Sequence, residues 1–199
     1  MADNTFLVCG IDEAGRGPLA GPVCAAAVIL GGNFPRDLLN DSKKLSAARR
    51  EELRQRISGA ASGHEGALAW GLGWASHTEI DSVNILQATL LAMRRAFEEM
   101  VKNLAFPLSR DISIIVDGTH TPNLGIPCKA MVKADAQIPE VMAASILAKT
   151  ARDTYMDKMA LLYPQYCYEK HKGYPTKAHK ELIREHGPSP IQRMSFKCF

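Results

Sequence analysis

Adjacent carboxylates, Asp12 and Glu13, stand one residue ahead of Gly15-Arg16-Gly17. The apolar run Phe6-Leu7-Val8-Cys9-Gly10-Ile11 precedes them, and a second, Val23 to Leu30, lies beyond the turn. Bounded apolar runs of this length read as buried strands. Two further acids come after similar runs: Asp117 after Ile112–Val116, and Asp135 shortly after Cys128–Val132. A carboxylate buried without a partner costs roughly several kcal/mol, and a cluster of them repels itself. Such a cluster calls for hard cations. No His/Cys set accompanies it, so oxygen ligands select Mg²⁺ or Mn²⁺. Carboxylate-only sites with two such ions suit phosphodiester hydrolysis, one ion readying the attacking water and the other stabilising the leaving oxygen.

Gly15 and Gly17 lack a Cβ and let the backbone approach a ligand closely. Arg16 offers a fork to phosphate. Neither a G-x-G-x-x-G fingerprint nor a Walker lysine motif is present. All five tyrosines (Tyr155, Tyr163, Tyr166, Tyr168 and Tyr174) fall in one stretch, among or just ahead of Lys170, His171, Lys172, Lys177, His179 and Lys180. Aromatics among lysines suit a surface that meets phosphates and stacks on sugars or bases. Lys43 and Lys44 extend that surface or are simply exposed ahead of a helix. The sum points to a nuclease or phosphotransferase acting on nucleic acid.

For the acids to converge, their elements must end side by side. Residues 6–12 and 22–30 are expected as strands joined by the acidic glycine turn, with Gly31-Gly32-Asn33 closing a hairpin end. Ser46 is the expected N-cap of a helix over Ala47–Ile57, and Leu68–Ala75 reads as another strand. Val83, Leu86, Leu90, Met93, Phe97, Met100 and Leu104 recur every three or four residues, which predicts one helix from Thr78 to Leu104. Pro139 suits the first turn of a helix whose small residues, Ala143-Ala144-Ser145-Ile146-Leu147-Ala148, suggest tight packing on the sheet. A last helix is expected over Thr176–His186. Strands alternating with helices define an α/β domain, and sites form at strand ends in such folds. Side chains alternate along a strand, so Asp12 and Glu13 share a site only where the strand ends or bulges.

The chain has 199 residues, 46% of them apolar and 23% charged, with a formal net charge of +3. That is one good-sized soluble domain. No apolar run approaches a membrane span, and the first residues resemble neither a signal nor a transit peptide. Five scattered cysteines without a C-x-x-C read as free thiols in a reducing cytoplasm.

Taken in order, the motifs resemble the type 2 ribonuclease H family in its bacterial HII form. They are Gly10 to Val23, Asp41-Ser42-Lys43-Lys44-Leu45, Val116-Asp117-Gly118, Lys133-Ala134-Asp135-Ala136, Ala143 to Lys149, Ala151-Arg152-Asp153, Tyr163-Pro164 and His171-Lys172-Gly173-Tyr174-Pro175-Thr176. The resemblance implies a ribonuclease H-like fold, a central mixed sheet flanked by helices. It implies a catalytic domain over 1–160 and a small helical substrate-binding extension over 161–199, packed on the same domain. The implied activity is cleavage of RNA in RNA–DNA hybrids and incision 5′ to single ribonucleotides in duplex DNA. Asp12, Glu13, Asp117 and Asp135 match the family's catalytic acids, which hold two Mn²⁺ or Mg²⁺ ions in the substrate complex. Gly15, Arg16 and Gly17 match its 2′-hydroxyl sensor, and Tyr174 its junction tyrosine. Ser42, Lys43, Lys172 and Lys177 are the further expected substrate contacts. A monomer without membrane association is expected. Bacterial relatives usually carry Lys-Gly-Asp where Lys133-Ala134-Asp135 stands. Asp153 reads as structural, paired within or beside its helix, and Arg193-Met194-Ser195-Phe196 matches the family's ending loosely.

Three other readings remain open at this point. The first is a ribonuclease HIII, against which the short stretch before the first strand speaks. The second is another ribonuclease H-like enzyme such as a resolvase, which has no use for Gly15-Arg16-Gly17 or Tyr174. The third is a non-catalytic hybrid-binding module, which gains nothing from four carboxylates facing phosphate.

Overall fold

The computed structural model describes residues 7–39, 45–59, 66–105, 107–108 and 112–198. Ser42, Lys43 and Lys44 lie outside these residues. The core is a five-stranded mixed sheet. Strand β1 (Val8–Ala14) pairs antiparallel with β2 (Val23–Leu30), which pairs antiparallel with β3 (Ala67–Ala75). On its other side β1 runs parallel to β4 (Ser113–Asp117), which runs parallel to β5 (Lys129–Met131). The order is β3-β2-β1-β4-β5. Gly31 does not close a hairpin. Its N–H donates to the carbonyl of Gly66 at 3.2 Å, and the chain leaves the sheet through helix α1 (Ala47–Ile57) before β3 returns.

The strand period of two sorts the sheet into two cores. Cys9, Ile11, Ala25, Ala27 and Val116 face helix α2 (His77–Lys102), with Ala88, Ala92, Ala96 and Met100 against them. Ala26, Val28 and Leu30 face α1 and helix α3 (Pro139–Leu162). The expected small residues of α3, Ala143, Ala144 and Ala148, are fully buried there. Helix α2 approaches β3 so closely that a Cβ at Gly73 would lie 2.1 Å from the Ala92 carbonyl oxygen and 2.3 Å from the Ala96 nitrogen.

Helix α2 is not continuous. Asn84, at φ 68 and ψ 165, breaks it, and the Asn84 side chain accepts from the N–H groups of Leu86 and Gln87 at 3.0 and 3.1 Å, capping the second piece of the helix. The predicted apolar stripe is only partly inside: Val83, just before the break, is 41% exposed, and the first piece buries Ile80 while the second buries Ala88, Ala92, Met93, Ala96, Phe97 and Met100. The N-terminus of α2 is closed by a capping box between Ser76 and Glu79.

The third core is where the tyrosines went. Tyr166 and Tyr168 are buried with Ala20, Met156 and Ile191, and Tyr155 and Tyr163 pack against them. Short helix α4 (Tyr168–His171) sits beside α3, and helix α5 (Lys177–His186) packs on the 3-10 turn Pro164–Tyr166 that follows α3. The expected basic aromatic surface is therefore corrected: Tyr166 and Tyr168 are interior, Tyr155 and Tyr163 half-buried, and Tyr174 lines the cleft holding Asp12 and Glu13. Composition alone does not separate a stacking surface from a hydrogen-bonded aromatic core.

Gly73→Ala is expected to destabilise the fold by about 2–3 kcal/mol, because backbone on both sides must move. Gly32, with nothing within 4 Å of an added Cβ, is the control. Urea midpoints of the two alanine variants should differ clearly.

Candidate active site

The parallel pairing of β1 and β4 delivers the first two acids. Their register ends at Ile11 opposite Val116, so Asp12 and Asp117 come next, side by side. Both face α3, the side to which Gly10 also points: a Cβ at Gly10 would lie 2.2 Å from the Glu140 carbonyl carbon. Asp135 arrives from the 3-10 turn Ala134–Ala136 that leads into α3. The Ala134 N–H donates to Asp117 Oδ1 at 2.7 Å, tying that turn to the end of β4. The left-handed residue is Lys133 (φ 58), not Ala134, so alanine in place of glycine demands no unusual backbone.

One oxygen from each of Asp12, Asp117 and Asp135 lies within 4.8 Å of the others. Oxygens sharing a hard divalent ion stand roughly 3–5 Å apart, given bond lengths of 2.0–2.6 Å. Glu13 is outside this triad, as alternation along β1 requires, but it lines the same cleft of about 230 Å³. Its Oε1 is 3.4 Å from Arg16 Nη1.

Burial is the main reason that the Asp12 carboxyl is raised well above the usual carboxylate range; Glu13 and then Asp117 add repulsion. A hydrogen bond with Ser145 and one from the Glu13 N–H (2.7 Å) oppose the shift without overcoming it. Glu13 is raised for the same first reason, with Arg16 pulling the other way. An oxygen-only donor set that resists its own charge is chemically suited to a hard divalent cation.

Gly15, Arg16, Gly17 and Tyr174 line this cleft with the acids. A Cβ at Gly17 would lie 3.7 Å from Tyr174 Cε1. Gly15 has φ +98, and a Cβ there would collide with Arg152 Nε at 2.0 Å, so its bareness serves a buried side chain before any ligand. The Tyr174 backbone is fixed from both sides. Its N–H donates to the His171 carbonyl at 2.9 Å, and its carbonyl accepts from His179 Nδ1 at 2.9 Å. The His171 and His179 rings stack at 4.3 Å. Burial first, and then the neighbouring His179, press His171 down to about 4, so both functions of its ring are those of a neutral imidazole. Its Nδ1 accepts from Gly173 and its Nε2 donates to the Tyr166 carbonyl.

Lys172 is engaged by Asp157 rather than by the cleft, whereas Lys177 is almost wholly exposed. Asp153 pairs with Lys149 at 2.8 Å and with Arg50 at 3.8 Å. Two cleft residues were not singled out in the sequence as site residues, Ser145 and Lys149. With Asp153 they form an i, i+4, i+8 stripe on α3, a spacing that marks one helix face. Arg152 and Arg193 were also missed. Arg152 donates to the carbonyls of Pro22, Lys172 and Ala20 at 3.0, 3.1 and 3.2 Å, with its guanidinium 5.8 Å from the Tyr174 ring centre.

A mixed sheet that gathers aspartates at the ends of parallel strands and at a helix entrance defines a ribonuclease H-like, divalent-metal-dependent nuclease. The family model described as "Ribonuclease HII" matches residues 9–199. The chain belongs to the ribonuclease HII family and is a metal-dependent endoribonuclease, of a family that acts on RNA–DNA hybrids. It is 54% identical over 198 residues to the ribonuclease HII of Treponema denticola, covering 96% of this chain and 98% of that one. It is 51% identical to that of Dechloromonas aromatica, covering 96% and 90%. Among solved structures, the ribonuclease H2 of Pyrococcus horikoshii has the same fold, with a TM-score of 0.72 at 24% identity over 96% of this chain and 94% of that one. The ribonuclease HII in the PCNA complex from Archaeoglobus fulgidus gives 0.74 at 25% identity over 96% and 95%. No described helix is long and apolar enough to cross a membrane.

A raised carboxyl is a liability of the metal-free fold. The native state holds the Asp12 proton more tightly than the unfolded chain, so stability falls as pH rises from the unfolded value of 3.8 toward the raised one. Asp12→Asn in EDTA at pH 7 is expected to raise Tm, at roughly 2–4 °C per kcal/mol recovered, and to remove the further rise that Mn²⁺ gives the parent. Differential scanning calorimetry with and without Mn²⁺ reads both effects.

Proposed function

We propose that the protein hydrolyses the RNA strand of RNA–DNA hybrids and incises duplex DNA 5′ to a single embedded ribonucleotide, leaving 3′-hydroxyl and 5′-phosphate ends. The observation that carries this reading is the meeting of the aspartate cluster, the Gly15–Gly17 backbone and the Tyr174 ring in one cleft. Asp12, Glu13, Asp117 and Asp135 are the catalytic acids and would hold two ions, Mg²⁺ or Mn²⁺. Bound there, such ions supply an activated water and a stabilised leaving oxygen.

The chain's own residues do the selecting. Ser145 and the Glu13 N–H hold the Asp12 carboxylate in one orientation. The half-exposed Arg16 guanidinium exchanges its long contact with Glu13 for the phosphate beside the ribonucleotide. Backbone donors at Gly15–Gly17 sense the 2′-hydroxyl, the group that separates RNA from DNA. Tyr174, against Gly17, stacks on the next deoxyribose. Lys43 and Lys177 contact backbone phosphates and set the salt dependence, joined by Lys172 when it leaves Asp157, and Ser42 is a further substrate contact. Residues 161–199 serve as the substrate-binding extension on the catalytic domain 1–160. In this reading the enzyme is a cytoplasmic monomer that removes ribonucleotides left in DNA by replication.

The deciding assay uses duplex DNA with one ribonucleotide, in Mn²⁺, Mg²⁺ or EDTA. Metal-dependent incision at the ribonucleotide is expected; binding without incision would leave only a hybrid-binding module. Asp117→Asn should fold and bind hybrid yet cleave slower by about two orders of magnitude or more; undiminished cleavage removes Asp117 from the site. Tyr174→Ala should lose preference for the RNA–DNA junction while long hybrids are still cut, which a side-by-side comparison of the two substrates measures.

A further inference from the structure

The segment Ser189–Phe196 is bound to the loop of residues 15–22 twice over. Its backbone runs antiparallel to Leu19–Gly21, with Ala20 opposite Gln192. The Gly21 N–H donates to the Ile191 carbonyl and the Arg193 N–H to the Leu19 carbonyl, both at 2.8 Å. The Arg193 side chain then turns beneath the loop. Nε donates to the Gly21 carbonyl at 2.8 Å, Nη1 to that of Arg16 at 2.9 Å, and Nη2 to those of Gly15 at 2.6 Å and Pro22 at 3.2 Å. Arg193 is fully buried, and no carboxylate among the described residues pairs with it. Just beyond, Met194 N–H, Ser195 N–H and Ser195 Oγ donate to Asp81 of α2 at 2.9, 2.9 and 2.6 Å. The Phe196 ring lies 5.1 Å from the guanidinium.

A guanidinium this deep is tolerated only when its donors are met. Here backbone carbonyls alone meet them, and that dictates the direction of the peptides. In a trans peptide the C=O of one residue and the N–H of the next point in opposite directions, and no described peptide is cis. With the Gly15 and Arg16 carbonyls turned down onto Arg193, the N–H groups of Arg16 and Gly17 face away from it, on the side where those residues line the cleft. Neither N–H meets an acceptor among the described residues.

We propose that Arg193 is a positioning residue for ribonucleotide selection. It holds the Arg16 and Gly17 N–H groups as a fixed pair of donors beside the aspartates, and Asp81 keeps it seated by pinning Met194 and Ser195. This rests on the proposed function, in which the Gly15–Gly17 backbone senses the 2′-hydroxyl. Arg193→Lys keeps the charge and loses the fork. Asp81→Ala frees the strap from outside: it removes no hydrogen bond of Arg193, though it takes away a carboxylate whose charge favours the guanidinium.

Fluorescence anisotropy in EDTA compares affinity for a duplex with one ribonucleotide against the same duplex without it. The parent protein should favour the first about tenfold, the worth of one well-placed hydrogen bond. Arg193→Lys should bring that ratio close to one and Asp81→Ala should lower it at least threefold (a factor near half the effect on a logarithmic scale). Affinity for the all-deoxy duplex and for Mn²⁺ by calorimetry should stay as in the parent. An unchanged ratio in folded Arg193→Lys overturns the proposal, as does equal loss of all three affinities, which marks a merely structural role. If Arg193→Lys does not fold, an unchanged ratio in Asp81→Ala overturns it alone. A parent ratio of one instead refutes 2′-hydroxyl sensing itself.

Discussion

Asp12 is held where a negative charge is hardest to keep. It is 4% exposed, beside Asp117 and within reach of Asp135. Its position depends on two features of the sheet. The parallel register of β1 and β4 brings two strand ends level, and the bareness of Gly10 lets α3 come down onto β1. Without either, Ser145 and Asp135, both supplied from α3 or its entrance, would not reach the same point. The fold thus concentrates charge that it cannot itself neutralise, the physical signature of a site completed by cations.

The molecule does possess cations that could have neutralised those acids, and apart from Arg16, which reaches Glu13 at 3.4 Å, it engages them elsewhere. Arg152 and Arg193 lie within the same shell of structure, yet both spend their donors on main-chain oxygens. Arg50 and Lys149 are drawn off by Asp153, and Lys172 by Asp157. The result is a layered arrangement: carboxylates at the cleft, a loop of backbone above two buried guanidiniums, and peptide dipoles between. Buried arginines whose donors are met by carbonyls rigidify a loop without consuming a metal ligand.

Much of this was legible in the residues, and the illegible parts share a cause. Apolar runs ending at Asp12 and Asp117 announced strands and a metal site, because burial patterns and unpaired acids are properties of the residues themselves; Asp135 stands not at a strand end but on the 3-10 turn that enters α3. Ser46 as N-cap and Pro139 at a first helical turn were readable because local backbone geometry selects those types. The Asn84 break was not, since the apolar stripe of α2 runs straight across it. The interior placing of Tyr166 and Tyr168 depends on partners such as Ser189, whose Oγ lies 2.5 Å from the Tyr168 hydroxyl. Arg193 showed only as the head of the loosely matching Arg193-Met194-Ser195-Phe196, with no role attached: its partners are carbonyls, which every residue carries, so no pairing of residue types could reveal them.

The bond between Arg193 and Gly15 spans 178 positions of chain. Contacts of such separation form late, after local helices and hairpins, because loop closure must precede any gain from them. During synthesis the three aspartates, all earlier in the chain, can gather while the loop beside them still lacks its underpinning. The aspartate cluster and the underpinning of the loop beside it are therefore not completed together: a nascent chain carries all three acids before Arg193 is made.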